Sequence, residues 1–433
     1  MTIESALMFV QQTGLYAGAL VYFAVYPIAT SVLWITTAWL FRLRWEDSDP
    51  PAPPQPDGWP TVSVLVPVRN EEAVIRRSLM AVLAMDYPHL DVIVIDDGST
   101  DRTVDACLSL VANARVRLVR KIDREGKAMA LNDALPLARG DLVLILGADA
   151  EPAPDMLNWL VPHFQHARVA AVTGNPRVRN TDSFVARLQA IEYSSIVSLV
   201  RRSQRIWGRV TTIPGVVTLL RRSAVLDVGG FSSGTLTEDS DLIWTLQARC
   251  YDVRYEPRAT CWMAVPHTLR ALWRQRLGWA RGQMQVMRRH CGIALDWRSR
   301  RMWPVLAGSF LSTLWSHCFV LLATIWAASH ALGLPPAVAA PMADVWGMTI
   351  ASSCLLQLAM GALIDRRYER NIVRYFPYAV WYPVVYWMFL AVAMVIALPH
   401  LFFRPTSDAR HRIAIISARS ARPDSKPGAR SAR

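Results

Sequence analysis

The sequence predicts an α/β domain on a mostly parallel sheet, flanked by transmembrane helices. Long apolar runs free of Lys, Arg, Asp and Glu lie near both ends of the chain. The middle has ordinary soluble composition, and there short β-branched runs alternate with helical patterns. The 433 residues are 52% hydrophobic, include 17 Trp and carry a formal charge of +13. That is more chain than one domain needs, and too apolar for a purely soluble one. A positive excess suits nucleic acid, anionic lipid or phosphate-bearing ligands. No zinc-finger spacing, RNP-like aromatic motif or basic zipper occurs, so no nucleic-acid partner is expected. The six Cys, at 107, 250, 261, 291, 318 and 354, include no CxxC. Reduced thiols in a cytosol-facing domain are the expectation.

Residues 1–43 read as an N-terminal membrane segment. No charge falls between Glu4 and Arg42, and Tyr16 to Phe41 suffices for one span after a short leading segment at 5–15. It lacks the basic start and small-residue cleavage site of a signal peptide. Residues 44–60 form a Pro-rich, extended linker. The globular domain, 61–298, opens on "TVSVLVPV" (61–68), the turn "RNEE" and a helical pattern to about 85. "DVIVIDDGSTDRT" (91–103) repeats the scheme, with Asp101 in the first turn of its helix. "RVRLVRK" (115–121), the helix "GKAMALNDALPLA", the strand "DLVLILGAD" and "VAAVTGNPRV" (169–178) follow. The acidic turns fall at strand carboxyl ends, where open α/β sheets bind ligands. Neither a dinucleotide glycine fingerprint nor a P-loop is present.

Residues 299–403 contain apolar runs at about 303–333, 345–364 and 378–403. The loop 334–344 has no Lys or Arg and is expected outside; the basic "DRRYERNIVR" is expected inside. The globular domain is then cytoplasmic. The tail 404–433, basic and flexible, has eight Lys or Arg against two acids and also belongs inside. Three full late spans would leave it outside, so one late segment is interfacial or re-entrant; Pro383 and Pro399 point to the last.

Each acidic motif has a plain structural reading beside a chemical one. Asp96 and Asp97 in "DDGST" suit an Asx-type turn. Asp149, two residues after Gly147, suits a helix N-cap, as do Glu238 and Asp239 after Thr237 in "TLTEDSDLIWTLQ". Gln275 and Trp279 in "LWRQRLGWARGQ" share one helical face, which suits an amphipathic interfacial helix. Chemically, a strand-end carboxylate can hold a hard cation against a phosphate, and a carboxylate beside a hydroxyl can take its proton as it attacks.

Taken in order, "VPVRNEE", "VIDDGSTDRT", "GKAMALNDAL", "TEDSDLIWTLQ" and "LWRQRLGWARG" resemble the membrane-bound family-2 glycosyltransferases of GT-A fold. "AVTGNPRVR", "EYSSIVSLVRRSQRIWG" and "YEPRATCW" resemble, within that family, the bacterial synthases of poly-β-1,6-N-acetylglucosamine rather than those of cellulose, chitin or hyaluronan. The likeness covers about 60–285 and continues through "RMWP" into the late spans.

The resemblance implies an inverting, processive hexosyltransferase using UDP-N-acetylglucosamine, with β-1,6-linked polymer exported across a bacterial inner membrane into a biofilm matrix. It places Glu71 and Asp97 on the uridine, with Asp96 and Lys127 also on the donor side. Asp149 becomes the second acid of the DxD motif, holding Mg²⁺ or Mn²⁺. Asp239 becomes the general base, beside Glu238. Gln275, Arg276 and Trp279 belong to the QxxRW motif near pyrophosphate and acceptor. The implied partners are a UDP-sugar, the growing polysaccharide, the lipid bilayer and a small membrane subunit, with cyclic di-GMP control of the complex.

Two positions depart from the pattern. Gly147 stands where DxD has its first aspartate, and Gly278 where QxxRW has its arginine. Arg281, one helical turn on, and Asp96 are the expected substitutes. The departures keep other readings open: another UDP-sugar, transfer of single sugars to a lipid, or a membrane scaffold whose nucleotide site has decayed.

Overall fold

The computed structural model describes residues 13–47, 52–53, 58–213, 215–333, 345–369, 371–402 and 413–416. The first described helix, α1 (Gly14–Phe41), carries no charge and runs on as a π-helical turn through Arg42–Glu46. The helical chain therefore extends past residue 44, where the linker was expected to begin. Glu46 causes this: it is buried, and Arg202 donates to its Oε1 at 2.8 and 3.0 Å. Most of the leading segment, much of the linker and the loop 334–344 lie outside the described residues.

Four strands stand as read. β1 (Val62–Val68) pairs in parallel with β2 (Leu90–Asp96), which pairs in parallel with β3 (Val116–Lys121). The helices α2 (Ile75–Leu83), α3 (Thr103–Val111) and α4 (Lys127–Ala134) fall between and after them. β4 (Leu142–Leu146) joins the other side of β1, also in parallel. Alternate residues serve opposite faces: Val64, Val66, Val92 and Leu144 enter one core, and Leu65, Ile93 and Val143 the other. Both faces are covered, so the strands read as unbroken apolar runs. Helix α3 begins after Asp101, so Asp101 is not in its first turn; its Oδ1 instead accepts the amide of Thr103 at 3.0 Å.

Beyond β4 come β5 (Glu151–Pro152), α5 (Met156–Leu160) and β6 (Val169–Val178). The chain then runs through α6 (Phe184–Ile191), the π-helical segment Glu192–Val197 and α7 (Ser198–Trp207). Next are β7 (Val217–Arg221), α8 (Arg222–Asp227), α9 (Glu238–Ala248) and β8 (Asp252–Met263). The strand order is β5-β8-β6-β7-β4-β1-β2-β3, with Ile413–Ile416 added antiparallel beside β3 as β9. Apart from those four residues, the tail expected to be flexible lies outside the described residues. β7 and β8 are strands the sequence reading lacked. β7 enters antiparallel between β4 and β6. β8 contains Pro257, which argues against an interior strand. It is accommodated because the β6–β8 register shifts between Thr173 and Asn175, where Asn175 Nδ2 donates to the Pro257 carbonyl at 2.8 Å.

The amphipathic α10 (Leu269–Arg289) follows, then α11 (Trp303–Ala331) and α12 (Val345–Asp365). Among the described residues, the first span and these two are the helices long and apolar enough to cross a membrane. The run 378–403 is broken. After α13 (Ile372–Tyr375) come a 3-10 turn carrying Pro377 and a π-helical turn carrying Pro383, then α14 (Trp387–Ala397) and a last 3-10 turn at Pro399. The apolar helix here, Trp387–Leu401, is shorter than the three candidate spans. Buried ion pairs fasten the globular domain to these helices: Asp365 pairs with Arg177 and, at 3.0 Å, with Arg202. All six cysteines are free thiols.

Candidate active site

The carboxyl ends of β1, β2 and β4 are neighbours, and three predicted acids arrive there. The Asp97 carboxylate accepts the amides of Glu125 and Gly126, each at 2.9 Å. Asp97 thereby folds the loop that ends in Lys127. Glu71 is partly buried; burial, then the Asp149 and Asp101 carboxylates, raise its pKa. Glu71 and Asp149 thus lie within electrostatic reach of each other. Asp149 Oδ2 accepts the Ala264 amide at 3.1 Å. Asp149 does not cap a helix; that place before α5 belongs to Asp155.

Asp96 corrects an expectation. Its side chain has no exposure, its Oδ1 accepts the Ser99 amide at 3.1 Å, and its Oδ2 lies 3.6 Å from Arg120 Nε. It holds the turn and faces the core, where burial first and then the Asp96 charge push the Cys107 thiol up. It is therefore not placed to be a second metal carboxylate beside Asp149.

Gly147 explains what is missing. A Cβ built there would lie 3.2 Å from Asp149 Oδ1 and 3.3 Å from a Val216 methyl. An acid at 147 would thus project beside the Asp149 carboxylate.

The second cluster lies where β7 and α9 begin. Lys127 Nζ pairs with Glu238 Oε1 at 2.9 Å and donates to the Gly215 carbonyl at 3.1 Å. Burial alone would lower this ammonium, but Glu238 and Asp239 hold it above its ordinary value. Asp239 stands in the first turn of α9, its Oδ1 accepting the Ser240 amide at 2.7 Å. Burial and the Glu238 charge raise its carboxyl to about 6, against the opposing pull of Lys127. The backbone comes very near: a Cβ on Gly215 would sit 2.7 Å from both Asp239 Oδ2 and Lys127 Nζ. Between them is a void of about 10 Å³, room for roughly one water.

Helix α10 supplies the rest. Trp279 is 43% exposed, with the Arg276 guanidinium 4.1 Å from its ring centroid. Arg276 is buried, paired with Glu192 at 2.5 Å and bonded to the Tyr386 hydroxyl at 3.1 Å. It braces Trp279 from below and ties α10 to the last apolar segment, rather than standing open to a pyrophosphate. Gln275 Oε1 and Arg281 Nε are buried without hydrogen-bond partners among the described residues. A Cβ on Gly278 would meet nothing within 4 Å, so a longer side chain has room.

The sequence reading missed Gly215, the Ala264 amide and Tyr193 as parts of this region. The first two act through backbone, which leaves no side-chain signature. Tyr193 lies in a highlighted stretch, but nothing in its spacing set it apart.

The residues fit a divalent cation. Mg²⁺ and Mn²⁺ need only one or two carboxylates when phosphates and water complete the shell. Asp149 offers one, and the like charge of Glu71 nearby would be relieved by a cation. Among the described residues no group of three or more His, Cys, Asp or Glu gathers as a metal site, so the donor would have to bring the remaining oxygens.

Residues 60–282 match the family model described as "Glycosyltransferase like family 2". The chain is 32% identical over 381 residues to the poly-beta-1,6-N-acetyl-D-glucosamine synthase of Staphylococcus aureus (strain COL), covering 86% of this chain and 92% of that one. It is likewise 32% identical to the synthase of that name from Staphylococcus epidermidis, over 78% and 83% of the two chains. A mannosyltransferase from Pyrobaculum calidifontis, solved with GDP-Man and Mn²⁺, superposes with a TM-score of 0.61 over 85% of this chain and 98% of its own, at 24% identity. The fold is therefore GT-A-like, and this chain belongs to glycosyltransferase family 2.

Proposed function

We propose that this glycosyltransferase polymerises N-acetylglucosamine from UDP-N-acetylglucosamine into a β-1,6-linked exopolysaccharide. Asp239 carries the reading: a carboxylate raised to about 6 by burial and Glu238 is poised near neutral pH to accept a proton. In this scheme the acceptor 6-hydroxyl lies against Asp239 Oδ2, loses its proton to it, and attacks the anomeric carbon opposite the departing UDP. One displacement inverts the α-linked donor to a β-product. Lys127 and Glu238 tune the Asp239 charge in opposite directions, and Trp279, braced by Arg276, offers a face for the acceptor sugar. Glu71 and Asp97 serve the uridine side. Asp149 would hold Mg²⁺ or Mn²⁺, which when bound offsets charge growing on the leaving diphosphate.

The chain works as a multi-pass protein of the bacterial inner membrane, with the catalytic domain in the cytoplasm where UDP-sugars are made. Its spans receive the polymer for export, together with a small membrane subunit and cyclic di-GMP control of the complex. The 32% identity to the staphylococcal synthases supports sugar and linkage. The test is incubation of membranes holding the full chain with each UDP-sugar and Mg²⁺ or Mn²⁺, followed by linkage-specific digestion. A β-1,6-N-acetylglucosamine polymer is expected; release of UDP into another product, or none, refutes the proposal.

A further inference from the structure

Arg201 lies on α7, next in the chain to Arg202, yet the two have opposite fates. Arg202 is fully paired with Glu46 and Asp365. Arg201 is 6% exposed and, among the described residues, has no carboxylate partner and no acceptor for its buried Nε and Nη1. Its guanidinium stands 5.9 Å from the Tyr255 ring centroid. Its electrostatic neighbours beyond Tyr255 are Tyr193 and Asp239. Tyr193 in turn neighbours Asp149, and it packs in one cluster with Val216, which flanks Gly147. Arg201 is therefore within electrostatic reach of Asp239 and, through Tyr193, adjoins the surroundings of Asp149.

A desolvated guanidinium without an acceptor is costly unless something brings it an anion. Burial pushes its pKa down, as expected of a cation lacking a counter-ion, although two tyrosines and Asp239 oppose this. The reaction proposed above brings one strongly anionic group to this place, the donor's diphosphate. The motif arginine that would meet it is absent, since position 278 is glycine.

We propose that Arg201 binds the donor diphosphate, in the role left vacant at Gly278. This rests on the nucleotide-sugar reading of the site. Two charge-assisted N–H bonds to phosphate oxygens satisfy the orphaned donors and place the cation where leaving-group charge develops. Arg281 is the rival, having a buried Nε without a partner.

The experiment uses the full chain in lipid nanodiscs with Mn²⁺, titrated calorimetrically with UDP and with uridine. UDP but not uridine binding should weaken about ten- to a hundredfold in Arg201→Gln, the scale of a charge-assisted bond. Arg201→Lys should recover part of the loss, and Arg281→Ala should lose less than Arg201→Gln. Thermal unfolding separates folding from binding. Without ligand, Arg201→Gln should melt no lower than wild type, because it removes an uncompensated buried charge, while its UDP-induced rise in Tm shrinks. Undiminished UDP affinity in Arg201→Gln overturns the proposal. So does equal loss of UDP and uridine, a lower melt with an intact UDP shift, or the whole effect falling on Arg281→Ala. If turnover drops while UDP affinity holds, the guanidinium serves the acceptor and the proposal is wrong. Wild type that binds no UDP at all sinks the nucleotide-sugar reading itself, before any variant is compared.

Discussion

The Asp239 side and the Asp149 side of this site, proposed to serve base and donor, are built differently. Around Asp239 the charges are paired and the packing is tight: Lys127 against Glu238, and the Gly215 backbone too near for a side chain. Around Asp149 the acids are sparse, position 147 carries no side chain, Gly278 leaves room, and among the described residues buried nitrogens on Arg201 and Arg281 lack hydrogen-bond partners. The lesson concerns who completes each half. A general base must be set to its task by the protein before any ligand arrives. A metal–diphosphate site can be left open, because the ligand itself brings oxygens and charge.

The largest effect should come from breaking the finished half. Asp239→Asn keeps shape and loses the basic carboxylate, so UDP release during transfer should fall at least about a hundredfold. UDP affinity measured by calorimetry should stay near wild type. Near-normal polymer yield would remove Asp239 from the mechanism.

Next in size is the tuning of that base. Its kcat/KM should rise through about pH 6 as Asp239 loses its proton. Lys127 pulls that value down, so Lys127→Met should move the acid limb upward by about one unit and lower activity at pH 7. An unmoved limb would mean that another group titrates. The same shift has a stability sign. The folded value lies above the ordinary 3.8, so the fold holds this proton more tightly than the unfolded chain. Its stabilising contribution is present below about pH 4 and is lost as pH rises through about 6. Asp239→Asn should therefore gain in Tm relative to wild type between those values.

The open half should respond by gain. Gly147→Asp adds a carboxylate beside Asp149, so the Mn²⁺ needed for half-maximal activity should drop about tenfold, following ligand charge count. Without metal the added like charge should lower Tm. Unchanged metal demand would show that Asp149 is not where the cation binds. The smallest effect is expected from Gly278→Arg. The space is free, and replacing a mid-helix glycine should add about 1 kcal/mol of stability with donor binding equal or modestly better. A lower Tm would show that the space is occupied in the working enzyme.

Much of the sheet was legible because β1, β2 and β4 are short, largely apolar runs bounded by turns, as a doubly covered sheet demands, and because β3 and β6 open on β-branched or small apolar residues. β7 and β8 were not: β7 is short and runs straight into α8, and β8 carries charges and Pro257. The acids of the site could be located by position, at strand ends, but not sorted by use. Asp96 and Asp97 are adjacent, yet one turns inward to hold Ser99 while the other folds the loop before Lys127.

By itself the sequence determined the class of fold, the apolar helices and the place of the acidic turns, since these follow from local periodicity and composition. It also showed the two glycines where side chains were expected. Only the tertiary structure decided that Asp239 sits beside Lys127 and Gly215, that Arg276 is taken by Glu192, and that Arg201 has no carboxylate partner among the described residues while Arg202 has two. The physical reason is distance: burial and pairing join residues such as Glu46, Arg202 and Asp365 that lie far apart in the chain, and no local pattern encodes which charge will meet which.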